Sequence, residues 1–235
     1  MNMNIFITGV NRGIGLSLSQ VFLERKMTVY GTVRNLHSDN MDGIKNLKKT
    51  YHQKLHLIKL DVTQKNLQDQ IIQHVPKDFE LDILINNAGI YNKKTSAGLE
   101  KHNMEDTFEA LMVNTLGPMK VTQALIPHIQ RSKNPKIVNI SSILGSVALN
   151  KNFSSTYDYR VSKAGLNMFS KNLALEFPDI VVLNLHPGWV KTRMGGEEAP
   201  LTPEKSAQKM VSIILEADLA LSSAYLDQER EIIPW

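Results

Sequence analysis

The stretch 8-TGVNRGIG-15 reads as the end of a strand, a glycine turn and the start of a helix. Before it lies a short apolar run, "NIFIT" at 4–8; after it, residues 13–25 carry a helical pattern of apolar side chains. Glycines fall at positions 9, 13 and 15. Such a turn lets backbone N–H groups approach a pyrophosphate, and the helix N-terminus adds its partial positive charge. The same turn could serve tight strand–helix packing alone, but three glycines in this context favour a nucleotide. The candidate contacts on it are Gly9, Asn11, Arg12, Gly13, Ile14 and Gly15.

Outward from that turn, short β-rich runs alternate with helical stretches. Strands are predicted at 4–8, 28–33, 55–60, 81–86, 136–141 and 180–185, and helices near 13–25, 39–51, 64–74, 105–130, 158–177 and 203–217. Several of the strands are apolar on both faces, as strands between two helix layers must be. This alternation predicts an α/β fold of the Rossmann type, a doubly wound parallel sheet with helices on both faces. The length suits a single domain over residues 1–235. In such a sheet ligands bind beyond the carboxyl ends of the strands, so chemistry is sought there.

The second strand runs into Arg34 with no carboxylate that could take the ribose hydroxyls of NAD. Arg34 and Arg12 could instead clamp a 2′-phosphate, which favours NADP(H) over NAD(H), unless both are plain surface residues. The third strand ends at Asp61-Val62, and Asp61 with Thr63 could equally cap the following helix. The fourth ends in "NNAG", where Asn87, Ala88 and Gly89 would let a cofactor lie against bare backbone. The fifth runs into Ser141 and Ser142, which must point to opposite faces. The sixth ends in 186-HPGWVKTRMGG-196, a glycine-rich charged segment that could be a mobile substrate lid over about 191–217, or a surface loop.

Residues 155-STYDYRVSKAG-165 hold two tyrosines and a lysine. At about 100° per residue, four steps along a helix return close to the starting face and six do not. Tyr159 and Lys163 therefore share a face, and Tyr157 is expected in the preceding loop. A lysine ammonium near a tyrosine favours the phenolate and would lower the Tyr159 pKa, which suits a general acid. In the helix 105–130, Pro118 lacks the N–H that would bond the carbonyl of Asn114, so a kink and a free carbonyl are expected.

Taken in order, these motifs resemble the short-chain dehydrogenase/reductases over essentially the whole chain. Within that family, "YRVSKAGLNM", "HPGWVKT", "APLTPE" and the final "IPW" are similar to the C-factor and sniffer-like carbonyl reductases. The resemblance implies a seven-stranded parallel sheet and a catalytic set of Asn114, Ser142, Tyr159 and Lys163. It selects Ser142 over Ser141 and gives the Asn114 carbonyl a water that relays protons to Lys163. It places Asp61 and Val62 at the adenine and Pro187, Gly188, Val190 and Thr192 across the nicotinamide and pyrophosphate. Tyr159 and Lys163 would touch the cofactor as well, Lys163 through the nicotinamide ribose. The implied activity is NADPH-dependent reduction of a small-molecule carbonyl, an aldehyde, ketone or quinone. Alternatives are the same enzyme run as an alcohol dehydrogenase, or a nucleotide-sensing signalling protein. A homodimer or homotetramer is also implied. Two departures stand out: a long segment between Ser142 and Tyr159 with a polar tip at 150–155, and Arg193 where similar sequences often carry an acidic residue.

Composition closes off other classes. There is no cysteine, so disulfides and thiolate chemistry are excluded, and seven scattered histidines show no metal-ligand spacing. The net charge of +4 comes from dispersed residues, not a basic patch with interleaved aromatics, so nucleic acid is not expected. No apolar run is long enough for a membrane span and no cleavable leader precedes the first strand, so a cytoplasmic location is expected.

Overall fold

A computed structural model of the chain describes residues 3–37, 41–91, 98–152 and 156–235. Seven strands form one sheet: β1 (Asn4–Ile7), β2 (Thr28–Val33), β3 (Leu55–Lys59), β4 (Ile83–Asn86), β5 (Lys136–Ile140), β6 (Val181–His186) and β7 (Ala224–Asp227). Their order is β3-β2-β1-β4-β5-β6-β7. Every neighbouring pair is parallel. The chain winds outward from β1 to β3, then returns to β4 on the other side of β1. That reversal opens a crevice at the carboxyl ends of β1 and β4.

The strands are apolar on both faces because both are covered. Ile5, Ile7, Ile83, Ile85, Val138, Leu183 and Leu185 pack into one core with α1 (Gly13–Glu24), α2 (Asp42–Thr50) and α7 (Pro203–Glu216). Their sequence neighbours Phe6, Leu84, Ile137 and Val182 point the other way, into a second core. That core also holds residues of α3 (Leu67–His74), α5 (Gly117–Ile129) and α6 (Tyr157–Glu176). The alternation is the period of two that an extended strand imposes. Among the described residues no helix is long and apolar enough to cross a membrane.

The expected 105–130 helix is not continuous. It is α4 (Met104–Leu111), a π-helical turn at Met112–Leu116, and α5. The Gly117 N–H bonds the Met112 carbonyl, five residues back, so the register shifts just before the proline that cannot donate. The seventh strand was not marked by any local pattern. It has four residues, and Ser223 before it sits at φ 68°. Helix α3 begins at Leu67, not 64, because a turn capped by Asp61 precedes it. The start of the expected 39–51 helix at residues 39 and 40 lies outside the described residues, as do 153–155 of the polar tip at 150–155. The inner face of α7 is core, with Ala207, Met210, Val211 and Ile214 buried. That packing sets α7 apart from the largely exposed turn before it.

Candidate active site

The glycine turn is tied to both strands beside it. The Thr8 hydroxyl accepts from the Asn87 and Ala88 N–H groups, each at 3.0 Å. The Asn87 amide donates back to the Thr8 and Gly9 carbonyls at 2.9 and 3.0 Å. The N–H groups of Gly9 and Val10 reach the Thr32 carbonyl at 3.1 and 3.0 Å. A side chain at Gly15 is excluded, since its Cβ would lie 2.1 Å from the Gly9 carbonyl oxygen. Helix α1 starts at Gly13 with no side-chain cap and no acidic residue in its first turn. A dinucleotide diphosphate fits this cradle, because the positive helix end has no anion of its own.

Around the cradle, Arg34 follows β2 and is exposed, as is Arg12. Although its side chain is exposed, partial loss of water and the charges of Arg193 and Arg34 hold the Arg12 guanidinium below its ordinary pKa. One oxygen of Asp61 accepts from the Thr63 N–H and hydroxyl at 2.9 and 2.8 Å, so it caps the turn, not the helix. Val62 is buried against Gly117, and Gly89 sits beside Asn114 and Lys163. Gly188 takes a positive φ of 83°, and the Pro187 carbonyl accepts from Ser206 at 2.6 Å. Val190 is buried, and Thr192 lies on the glycine turn, where a Cβ at Gly13 would meet its methyl at 3.3 Å. Asn11 and Ile14 are half-buried on that turn.

Beyond β5, the two serines diverge. Ser141 donates to the Asn167 side chain at 2.6 Å, away from the cleft. Ser142 accepts from the Leu144 N–H at 3.2 Å and hydrogen-bonds the Tyr159 phenol. Tyr159 and Lys163 rise from the first two turns of α6. The Lys163 ammonium donates to the Ile140 carbonyl at 2.8 Å and lies 5.7 Å from the centre of the Tyr159 ring. Tyr157 is the first residue of α6, not part of the preceding loop. Its ring meets His102 edge-on at 5.7 Å, while Tyr159 meets Tyr91 at 4.9 Å, so the two tyrosines do face different neighbours.

The expected lowering of the Tyr159 pKa is not found. It is pushed up to about 12, first by burial, with Tyr225 and Tyr91 adding and the Ser142 hydrogen bond opposing. Lys163 is pushed down to about 8 by burial. Each charge is denied water, and that loss sets the direction for both groups. His186 is likewise lowered to about 4 by burial.

Asn114 sits in the π-helical turn with its side chain wholly buried. The side chain accepts from the Ile90 N–H at 2.8 Å and donates to the Ile90 carbonyl at 2.9 Å and Ser162 at 3.0 Å. It thus clasps the backbone after β4 to α6, a role the sequence did not reveal. Thr8 and Tyr225 were missed too. The leading threonine of the glycine motif was a signal for the first; nothing marked the second. A cavity of about 370 Å³ lies at the other end of the sheet, lined by Lys136, Val181 and Ala217, far from these groups.

Doubly wound sheets that carry a glycine turn at the strand reversal are nucleotide-binding folds, and this one belongs with their oxidoreductases. The chain is a member of the short-chain dehydrogenase family, whose model, described as short chain dehydrogenase, matches residues 3–201. Among curated relatives, the C-signal protein of Myxococcus xanthus is 34% identical over 158 residues, which is 66% of this chain and 93% of that protein. The carbonyl reductase Sniffer of D. melanogaster superimposes with a TM-score of 0.91 at 31% identity, covering all of both chains. An NADPH-bound carbonyl reductase from chicken fatty liver gives 0.90 at 28% identity, again over all of both chains.

Proposed function

We propose that the chain reduces carbonyl compounds with NADPH. The observation that carries this is the cluster of Ser142, Tyr159 and Lys163 at the same sheet end as the glycine cradle. Tyr159, with its pKa near about 12, holds its proton at any ordinary pH, as an acid must. Bound in the cradle, a nicotinamide dinucleotide supplies the hydride that reaches the carbonyl carbon. Tyr159 gives its phenolic proton to the carbonyl oxygen, and the Ser142 hydroxyl orients that oxygen. The Lys163 ammonium, charged below about pH 8, steadies the phenolate left behind and holds ribose hydroxyls. The Asn114 carbonyl, in the π-helical turn, is the proposed anchor for a water that returns the proton. Asp61 with Val62 takes the adenine end.

A preference for NADP(H) rests on Arg34 and Arg12, since β2 ends without a carboxylate. The NADPH-bound chicken enzyme supports the same choice. The substrate side has exposed apolar residues, Ile143, Val147 and Leu149 after β5 and Trp189 and Met194 after β6. The turn at 189–201 is the proposed lid. Self-association is proposed through α6, whose exposed Val161, Met168 and Leu175 fall seven residues apart on one stripe.

The similarity to C-signal favours one second reading, a nucleotide-binding signalling protein. Consumption of NADPH with a panel of aldehydes, ketones and quinones tests the first. Wild-type turnover with a large loss in Tyr159→Phe is expected. Wild-type binding of NADPH with no turnover across the panel would sink it. Signalling is favoured if Tyr159→Phe keeps a cellular phenotype that Arg34→Ala abolishes. Running the same assay with alcohols and NADP⁺ decides the direction.

A further inference from the structure

The turn after β6 is a closed loop that leans on the glycine cradle. The Lys191 N–H bonds the Leu201 carbonyl at 2.7 Å, closing the base. The Gly196 N–H reaches the Thr192 carbonyl at 2.8 Å, and the Trp189 indole reaches the Gly195 carbonyl at 2.9 Å. Arg193 is therefore held at the tip, one residue past Thr192, which touches Gly13. Arg12 stands one residue before Gly13. The two guanidinium groups approach closely enough for their charges to interact, and Arg34 adds to the same field.

Among the described residues these three charges have no carboxylate partner. Of the turn's own acids, Glu197 is paired with Lys191 at 2.9 Å, and Glu198 makes no ion pair among the described residues. No ion pair among the described residues involves Arg12, Arg34 or Arg193. Helix α1 contributes no acid in its first turn either. Like charges gathered at a helix start without a carboxylate are arranged for an anion with several oxygens.

We propose that Arg193 is a third arginine of the dinucleotide site and grips the diphosphate from the lid side. This rests on the dinucleotide reading given above. Its position distinguishes it from Arg34. Arg34 follows β2, at the adenosine ribose, where only a 2′-phosphate would meet it. Arg193 follows Thr192, whose methyl faces the second glycine at the α1 N-terminus, and its charge is felt by Arg12 there, where the diphosphate of either dinucleotide would sit. The same turn carries Trp189 and Met194, so dinucleotide binding fixes one wall of the substrate side.

The test is titration of NADPH and NADH, followed by nicotinamide fluorescence, on wild type, Arg193→Ala and Arg34→Ala. Arg193 is exposed, so its truncation leaves the fold intact. Arg193→Ala is expected to weaken both dinucleotides by the same factor, about tenfold. Arg34→Ala is expected to weaken NADPH by at least about tenfold and leave NADH nearly unchanged. In hydrogen exchange, NADPH should protect residues 192–196 in wild type and not in Arg193→Ala. Arg193→Ala binding both dinucleotides like wild type overturns the proposal, as does a loss confined to NADPH. If wild type binds neither dinucleotide, the reductase reading falls with it; if wild type and Arg34→Ala behave as expected, only the role of Arg193 falls.

Discussion

The phenol of Tyr225, on β7, donates a hydrogen bond to the backbone carbonyl of Ser142. Tyr225 is buried, and its ring packs on Trp235 with centres 5.3 Å apart. The same final segment holds the loop after Ser142: the Pro234 carbonyl accepts from the Ser146 hydroxyl, and the Trp235 carbonyl from the Ala148 N–H at 2.9 Å. The serine turn is thus braced from behind, and the Tyr225 phenol also adds to the rise in the Tyr159 pKa. Tyr225→Phe keeps the ring and orphans one carbonyl. The expected result is a fall in kcat of about tenfold, with substrate KM and NADPH affinity nearly unchanged. A purely structural role would instead lower the melting temperature and the NADPH stoichiometry together.

Lys163 is a charge that the folded chain holds at a loss. Its pKa drops from the ordinary 10.5 to about 8 because it is buried. Below about pH 8 the group is protonated in both states, so the full burial penalty applies. Between that pH and 10.5 only the unfolded chain binds the proton, so wild-type stability rises with pH. Lys163→Met should therefore stabilise the dinucleotide-free protein at neutral pH while abolishing reduction. The penalty is on the order of 3 kcal/mol, and losing the bond to Ile140 returns about 1, for a net gain of about 2 kcal/mol. Urea unfolding at a series of pH values checks it. The advantage should shrink as the pH climbs, and a variant less stable than wild type at pH 7 would refute the account.

Dinucleotide binding should carry the same titration. The Lys163 ammonium that would hold the ribose hydroxyls loses its proton near about pH 8, whereas Tyr159 keeps its own to about 12. NADPH affinity is expected to fall as the pH rises through the lysine value. Tyr159→Phe should keep that limb and Lys163→Met should lose it. An unchanged limb in Lys163→Met would assign the titration to another group.

Some of this was legible in the residues and some was not. Strand β2 begins and ends where its six β-rich letters do, because nearly all of it is buried, its two threonines included, while the charged Arg34 follows at once. The two-residue period placed Ser141 and Ser142 on opposite faces, but only the family resemblance picked Ser142. Strand β7 was not readable, since four residues with one buried tyrosine carry no periodicity, and its pairing with β6 is decided by tertiary contact. The proline at 118 signalled a break but not its form; a π-helical turn and a kink both answer the missing N–H. The Tyr159 pKa was misjudged because a pair on one helix face says nothing about burial, and burial set the direction for both groups.

Asn114 separates a side-chain role from a backbone one, and the difference can be measured. Its amide makes three hydrogen bonds in a wholly buried place, two of them to the backbone of Ile90. Ile90 follows the "NNAG" turn, and Ser162 stands next to Lys163 in α6, so the side chain fixes the distance between cradle and lysine. Truncation to Asn114→Ala leaves the half-buried N–H and carbonyl of Ile90 without this partner and removes the buried bond to Ser162, a loss on the order of 2 kcal/mol. It does not alter the backbone carbonyl at 114. If that carbonyl alone serves the proton relay, the variant should lose stability yet keep the pH dependence of kcat among the molecules that stay folded. If the amide positions Lys163, the high-pH limb should move as well, because the lysine would no longer be held as deeply from water. Guanidinium unfolding and a pH series on the same preparation distinguish the two, and a variant as stable as wild type would show that the three bonds contribute nothing net.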